Sequence, residues 1–501
     1  MFQFRASKPA ERPSPSPDPF YFGLRVAPPA NPNRPLEGKE LEEPHRGPGI
    51  RSTWRTTGEP ILYAGEKNSV IFGPIGSGKT RKLLYRNLFG LSLTSLIVPD
   101  CKGELCAHTA VFRAKRLGHR VIVKDDWGVM PKNYPRLVEK YPEIFRSVSL
   151  NPVAAMGATG RLIDDAKALA TSLVPKENTR EQYFALAGQA AAKGLLLGLR
   201  LHYGEKASLK HLREIICLPP DQLAQACTDM IAAYGEQCPA IANSLGEHTR
   251  QNPEDRELGA IRRTIQVDLD FLDSREITAG LSGPAFDAAS LKEIPTTIYL
   301  ITPLDLLPLQ GGTLLRIYIT SLLQPLLRSV ETPRVSVLLM LDEFAQMGHM
   351  QIIESQYASM RGFGVRCCLV FQDISQAKRL YGERWESFIS NAGIVASFSV
   401  QDVGGREYLS KFSGERIIWH ERKSDSLSHT TGNDVSVNRG SSTSDVHINE
   451  RVMKPHELAA MHADEAIVWA QGRYYCVVCP QPEYLPDVAP HLAEARRAIE
   501  D

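Results

Sequence analysis

Ser69-Val70-Ile71-Phe72-Gly73-Pro74-Ile75-Gly76-Ser77-Gly78-Lys79-Thr80 joins a short β-prone run to a glycine-rich turn. An amphipathic, helix-length stretch from Arg81 to Leu91 follows. The turn fits G-x-x-x-x-G-K-[ST] at every fixed position, and it lies between strand and helix, where that motif must lie to work. Glycines let successive backbone N–H groups converge on phosphate oxygens without a side-chain clash. The helix after Gly78 turns its positive end to the same anion. Gly73, Pro74, Ile75, Gly76, Ser77, Gly78, Lys79 and Thr80 are therefore the candidate nucleotide-binding loop. Lys79 is expected to neutralise β- and γ-phosphate charge, and Thr80 to offer a hydroxyl to Mg2+.

Such a loop needs a carboxylate at the end of a neighbouring strand. Val337-Leu338-Leu339-Met340-Leu341-Asp342-Glu343 supplies it: a continuous apolar run, as in a central parallel strand, ending in two acids. Asp342 is the expected Mg2+ partner and Glu343 the base that polarises the attacking water. A base of this kind favours ATP hydrolysis over kinase chemistry, and no Asn-Lys-x-Asp stretch for guanine is present. Gln372, at the end of Cys367-Cys368-Leu369-Val370-Phe371, is placed to sense the γ-phosphate. Arg361 is a candidate arginine finger, with Arg366 and Arg384 as competitors on spacing alone.

Outward from these motifs, Ser95–Val98 and Arg120–Val123 read as strands, as do Thr297–Ile301, Val365–Phe371 and Gly393–Phe398. Strands alternating with helices predict an α/β domain with a largely parallel sheet. Leu314 to Val330 reads as a helix that must bend or break near Pro325. Residues 161–290 interrupt the pattern with helix-length segments alone, an all-α insertion. The expected organisation is an extended Pro-rich arm at 1–55 and a first nucleotide-binding part at 56–160. The insertion follows, then a second nucleotide-binding part at 291–485, with a mobile Ser/Thr/Asn/Gly-rich loop at 424–445, and a tail at 486–501. The first 50 residues hold 11 of the 34 prolines, too few aliphatics to repay ordering by burial.

Composition bounds the function. With 58 basic and 57 acidic residues the net charge is +1, which argues against a surface basic all over. Nine scattered cysteines fit reduced thiols in a cytosolic compartment. No secretory leader or membrane span is expected; the nearest candidate, Phe184 to Leu199, contains Gln189, Lys193 and glycines, and reads as a buried helix. Cys476-Val477-Val478-Cys479 lacks a second ligand pair and reads as packing. Lys115, Arg116, Arg120 and Lys124 read as a solvated basic face.

Taken in order, several stretches resemble one family, the TraG/TraD-like coupling ATPases of type IV secretion and conjugation. The phosphate loop is followed by Pro99-Asp100-Cys101-Lys102-Gly103-Glu104-Leu105, Asn151-Pro152 and Asp342-Glu343-Phe344-Ala345-Gln346-Met347-Gly348. Then come Arg361-Gly362-Phe363-Gly364-Val365-Arg366, Phe371-Gln372-Asp373, Tyr381-Gly382, Asn391-Ala392 and Arg451-Val452-Met453-Lys454-Pro455-His456-Glu457-Leu458. The resemblance covers roughly residues 60–485. It implies a RecA-like motor carrying an all-α domain, ATP and Mg2+ as ligands, and a homo-oligomeric ring, expected to be a hexamer. It implies a relaxase–DNA complex or protein effectors as cargo, channel components of the secretion system as partners, and DNA in the central pore. It also favours Arg361 as the finger and Gln372 as sensor. Two departures stand out. The 72 residues before Gly73 contain nothing like the family's usual transmembrane hairpin, so attachment to the inner membrane is expected through partners, from the cytoplasm. Cys101 stands where the family commonly has proline. The alternatives are a RecA-like DNA translocase not tied to secretion, and a receptor that uses nucleotide only as a switch.

Overall fold

The computed structural model describes residues 18–27, 55–175, 182–249, 256–328, 333–430, 436–461, 465–470, 473–479 and 481–500. The strands are β1 (Phe20–Ala27), β2 (Arg55–Tyr63), β3 (Asn68–Phe72), β4 (Thr94–Asp100), β5 (Arg120–Asp125), β6 (Thr296–Ile301) and β7 (Ser336–Leu341). The later ones are β8 (Val365–Phe371), β9 (Ala392–Phe398), β10 (Glu415–Thr430), β11 (Ser436–Arg451), β12 (Glu465–Ala470) and β13 (Arg473–Val478). Eleven of them form one sheet in the order β2-β1-β13-β12-β9-β3-β8-β7-β4-β6-β5. From β9 to β5 every pairing is parallel. This is the α/β architecture expected from the alternation of strands and helices.

Parallel strands covered on both faces must be apolar on both. Val70 and Phe72 of β3 and Val337, Leu339 and Leu341 of β7 enter one core. Ile71, Leu338 and Met340, the residues between, enter the other. Period-two alternation thus divides each strand between two layers. The first core continues without a break into the helices that follow β5.

Between β5 and β6 the described residues form no strand beyond one bridge of Ser147 to Val123; the elements are helices, chief among them Leu162–Leu173, Gln182–Tyr203, Leu209–Ile216, Pro220–Tyr234, Pro239–Leu245 and Arg256–Asp268. Gln182–Tyr203 is the pivot. A Cβ at Gly194 would lie 2.7 Å from Leu245 and one at Gly198 2.5 Å from Met230, so glycine is what lets two neighbouring helices cross it closely. Among the described residues, no helix is long and apolar enough to cross a membrane.

Two features depart from the sequence expectations. Phe20–Ala27, assigned to the Pro-rich arm, is a sheet strand pairing with β13 and β2. Phe20, Tyr21 and Phe22 are buried, and the Asn87 side chain bonds both Tyr21 N (2.7 Å) and Tyr21 O (3.0 Å). Three aromatics in a row supply the burial that the surrounding prolines cannot; residues 1–17 and 28–54 of that arm lie outside the described residues. The segment 424–445, read as a loop, is instead largely ladder. β10 and β11 pair with each other in continuous register from Glu415↔Arg451 to Thr430↔Ser436. A polar segment satisfies its backbone groups this way; residues 431–435 are outside the described set. The helix expected to bend or break near Pro325 runs from Gly312 to Leu326 and ends one residue past that proline, as expected.

Candidate nucleotide site at the carboxyl edge of the parallel strands

β3, β8, β7 and β4 lie side by side and point the same way, so their carboxyl ends bring Gly73, Gln372, Asp342 and Cys101 to one edge of the sheet. In open α/β sheets this edge is where ligands bind. The phosphate loop leaves β3 there, its entry fixed by Gly73 N donating to Phe371 O at 2.9 Å.

The loop needs its glycines for different reasons. Gly76 has φ +82 and Gly78 φ +76, a region other residues enter only with strain. A Cβ at Gly78 would also lie 2.7 Å from the Lys82 side chain. Lys82, buried beneath the loop, donates to Ser77 O at 3.0 Å and fastens the turn. Tyr85 N reaches back to Thr80 O, so the first helical turn is widened by one residue where it meets the loop.

Five of the expected site residues come together here. Thr80 Oγ1 donates to Asp342 Oδ2 at 2.6 Å, and Asp342 Oδ1 accepts from Glu343 N at 3.1 Å. Lys79 Nζ lies 3.3 Å from Glu343 Oε1, and Gln372 Nε2 donates to Glu343 Oε2 at 2.7 Å. Burial pushes the Asp342 carboxyl up, against the opposing pull of Thr80 and Lys79. Glu343 itself has φ +52 and ψ +39, a left-handed backbone unusual for a glutamate. Strain of this kind persists only where surrounding contacts over-determine it. Here it turns the Glu343 side chain back toward the loop.

The residues suit a nucleotide and a divalent cation on their own chemistry. The Ser77 hydroxyl is buried in the loop with no hydrogen-bond partner, an orphan that a phosphate oxygen would satisfy. Thr80 and the nine-tenths-buried Asp342 place a hydroxyl and a carboxylate on one point, the oxygen donors Mg2+ takes. Beside the loop, a cavity of about 320 Å³ has walls from Phe72, Pro74, Ile374, Phe398, Val400 and Leu409.

Arg361 is not part of this cluster. It is exposed and precedes β8 at the amino end, whereas the loop sits at the carboxyl end of the paired strand β3. The seven residues of β8 put roughly 20 Å between them. The competitors are elsewhere too: Arg366 is buried and donates to Gly65 O at 3.1 Å, and Arg384 is an exposed side chain 3.7 Å from Glu354.

Two supporting residues went unread in the sequence. One is Lys82. The other is Gln376, which accepts Gln372 N and donates to Gln372 Oε1, both at 3.1 Å, and so orients the Gln372 amide. The i,i+4 spacing of the two glutamines on either side of Asp373, which caps the helix Ile374–Tyr381, was the available signal. Lys124 also differs from its reading. It is fully buried in an ion pair with Asp126, whose other oxygen accepts Tyr318 OH at 2.7 Å, so it belongs to no solvated basic face. Cys479 is buried, and among the described residues no group of three or more potential ligands could hold a metal ion.

Comparison with known proteins agrees with this architecture. The conjugal transfer protein TraG of Escherichia coli is 25% identical over 491 residues, covering 88% of this chain and 72% of that protein. The type IV secretion system-coupling protein VirD4 of Bartonella quintana is 23% identical over 459 residues, covering 85% of this chain and 65% of its own length. The chain thus spans about two thirds of the length of these relatives. The solved structure of the plasmid coupling protein TrwB in complex with ADP and Mg2+ superposes with a TM-score of 0.59 at 17% identity, covering 97% of this chain and 99% of that one, and shows the RecA-like fold. The family model for type IV secretory system conjugative DNA transfer matches residues 38–488, and the chain belongs to that family of coupling proteins.

Proposed function

We propose that the chain is the ATP-hydrolysing motor of a conjugative or type IV secretion apparatus, coupling turnover to export of a relaxase–DNA complex or protein effectors. What supports this most is the convergence of Lys79, Thr80, Asp342, Glu343 and Gln372 on one loop at the carboxyl edge of the sheet. The TraG and VirD4 relatives and the nucleotide-bound TrwB structure support the same reading.

In this reading the loop backbone and Ser77 hold the phosphates, and Lys79 carries the charge of the γ-phosphate. Thr80 and Asp342 hold Mg2+, which when bound neutralises phosphate charge. Glu343 orients water for in-line attack and accepts its proton. Gln372 sits where loss of the γ-phosphate is felt first, bonded to the base itself. The cavity walled by Phe72, Ile374 and Phe398 takes the nucleotide's base. The sheet forms a RecA-like domain and the helices after β5 an all-α domain.

Arg361 acts across a subunit boundary, since its own phosphate loop is out of reach. Subunits then assemble as a ring, a hexamer in this reading, with DNA in its pore and secretion-channel components as partners. The chain works from the cytoplasm and meets the inner membrane through those partners. The test is steady-state ATP hydrolysis across protein concentration, with and without single- and double-stranded DNA, beside Glu343→Gln. A rate that rises more than linearly with protein, increases with DNA and vanishes in the variant supports an assembling motor. A flat rate equal to the variant's, with ATP still bound, overturns it.

A further inference from the structure

A second cavity, of about 400 Å³, opens away from the phosphate loop between three helices. One wall is Leu162–Leu173, the first long helix after β5; the others are Gly312–Leu326 and Gln351–Gln356. Its charge is one-sided. Arg161, Lys167, Arg316 and Arg328 line it, with Asp164 the sole acid among the lining residues. Arg328 is paired with Asp165, whereas the exposed side chains of Arg161 and Lys167 have no ion-pair partner among the described residues.

The floor is built. Arg316 is buried, and its guanidinium donates to Ser172 O (2.8 Å), Met347 O (2.9 Å) and Thr313 Oγ1 (3.2 Å). Ser172 belongs to the helical segment. Met347 ends the turn that follows Asp342-Glu343. The cleft therefore lies on a seam between the helices after β5 and the catalytic edge.

We infer that this cleft binds an acidic peptide segment of a partner protein, with Arg161 and Lys167 receiving its carboxylates. Arginine and lysine at the mouth match carboxylate oxygens in charge and donor geometry. Gln324 and Gln356, on different walls, keep polar capacity for a peptide backbone beyond the bond each already makes, Gln324 Nε2 to Asp164 O (3.2 Å) and Gln356 Oε1 from Ser359 Oγ (3.1 Å). No phenylalanine, tyrosine or tryptophan lines the cleft, so the stacking that holds single-stranded nucleic acid is missing. That favours a peptide over a DNA strand as occupant.

Binding here is measured without nucleotide and so stands apart from turnover at the phosphate loop. A fluorescein-labelled oligo-glutamate peptide is titrated with the full chain at low ionic strength, where exposed charges are least screened. Saturable binding is expected. The double charge reversal Arg161→Glu with Lys167→Glu is expected to weaken it on the order of tenfold or more. The double reversal Lys132→Glu with Lys140→Glu, at two exposed lysines outside the cleft, matches the change in net charge and is expected to leave binding unchanged. Circular dichroism of each variant checks the fold. Undiminished binding by the Arg161 and Lys167 reversal overturns the assignment, as does an equal loss in the Lys132 and Lys140 reversal. Displacement of the peptide by an oligothymidylate of equal charge at lower concentration than by oligo-aspartate would make the cleft a nucleic-acid site and likewise overturn it.

Discussion

Lys79 Nζ and Glu343 Oε1 are 3.3 Å apart, so the lysine proposed to meet the γ-phosphate and the acid proposed to meet the water are ion-paired to each other. A phosphate in the loop competes with Glu343 for the same ammonium. Binding of substrate and release of the base are then one event. Lys79→Ala is expected to lower turnover by about 100- to 1000-fold, the usual loss for one charge-stabilising donor. Glu343→Gln should hold ATP yet lose about 100- to 10,000-fold in rate. A coupled assay and a fluorescent-nucleotide titration separate the two; ordinary turnover by the Lys79 variant would remove this loop from the chemistry.

Gln372 reaches Glu343 directly, and Gln376 reaches Gln372. Gln372→Ala should therefore reduce kcat by roughly 10- to 100-fold while ATP affinity changes little, the mark of an interaction made in the transition state. Gln376→Ala should act in the same direction and more weakly. Equal loss of nucleotide affinity and kcat in both would mean that the pair only shapes the loop.

The roughly 20 Å between Arg361 and its own loop yields a mixing experiment. Lys79→Ala subunits have no working loop, and Arg361→Ala subunits have no finger. If the finger serves a neighbour, a mixture of the two should exceed the summed rates of each alone, because an intact loop can adjoin an intact Arg361. Strictly additive rates would assign Arg361 another role.

Phe344 follows Asp342-Glu343 and is fully buried, its ring centroid 5.4 Å from that of Phe371 and 5.9 Å from that of Tyr381. Phe344→Ala should destabilise the domain by about 3–5 kcal/mol, the usual cost of deleting a core aromatic. Urea unfolding measures it. A change under about 1 kcal/mol would show that the core can collapse around the gap.

His119 provides a pH prediction. It is buried beside Arg113, and burial first, then the guanidinium, pushes its imidazole down to about 4. Nε2 lies 2.8 Å from Ser92 O and Nδ1 3.1 Å from Arg113 Nη2, contacts that the neutral ring satisfies with its proton on Nε2. The folded state thus binds protons less readily than the unfolded one, whose value is near 6.5. Its contribution to stability is complete above pH about 6.5 and is lost as pH falls toward about 4. The melting temperature should decline across that window, and His119→Gln should flatten the decline; an unchanged slope would place the titration elsewhere.

Much of the site was legible because its chemistry is local. The loop Gly73–Thr80 needs particular residues at fixed spacing, and the acids at Asp342 and Glu343 need only an apolar strand before them. Val365–Phe371 and Ser336–Leu341 were readable to the residue for a related reason: strands buried on both faces are apolar almost throughout, here with only Ser336 and Arg366 as exceptions. β12 and β1 were not. Glu465–Ala470 is too short to show alternation clearly, and Phe20–Ala27 is surrounded by prolines. Their strand character comes from partners distant in sequence, Ala392–Phe398 and Arg473–Val478.

From the sequence alone came the phosphate loop, the acid pair, the parallel sheet and the helical interruption, because spacing and polarity are properties of neighbours along the chain. Only the tertiary structure decided that Lys79 and Gln372 grip the same Glu343 carboxylate, that Arg361 stands at the far end of the sheet from its own loop, and that Arg316 ties Ser172 to Met347. Those facts depend on strand order and direction, which set distances between residues hundreds of positions apart and leave no period or spacing in the sequence to read.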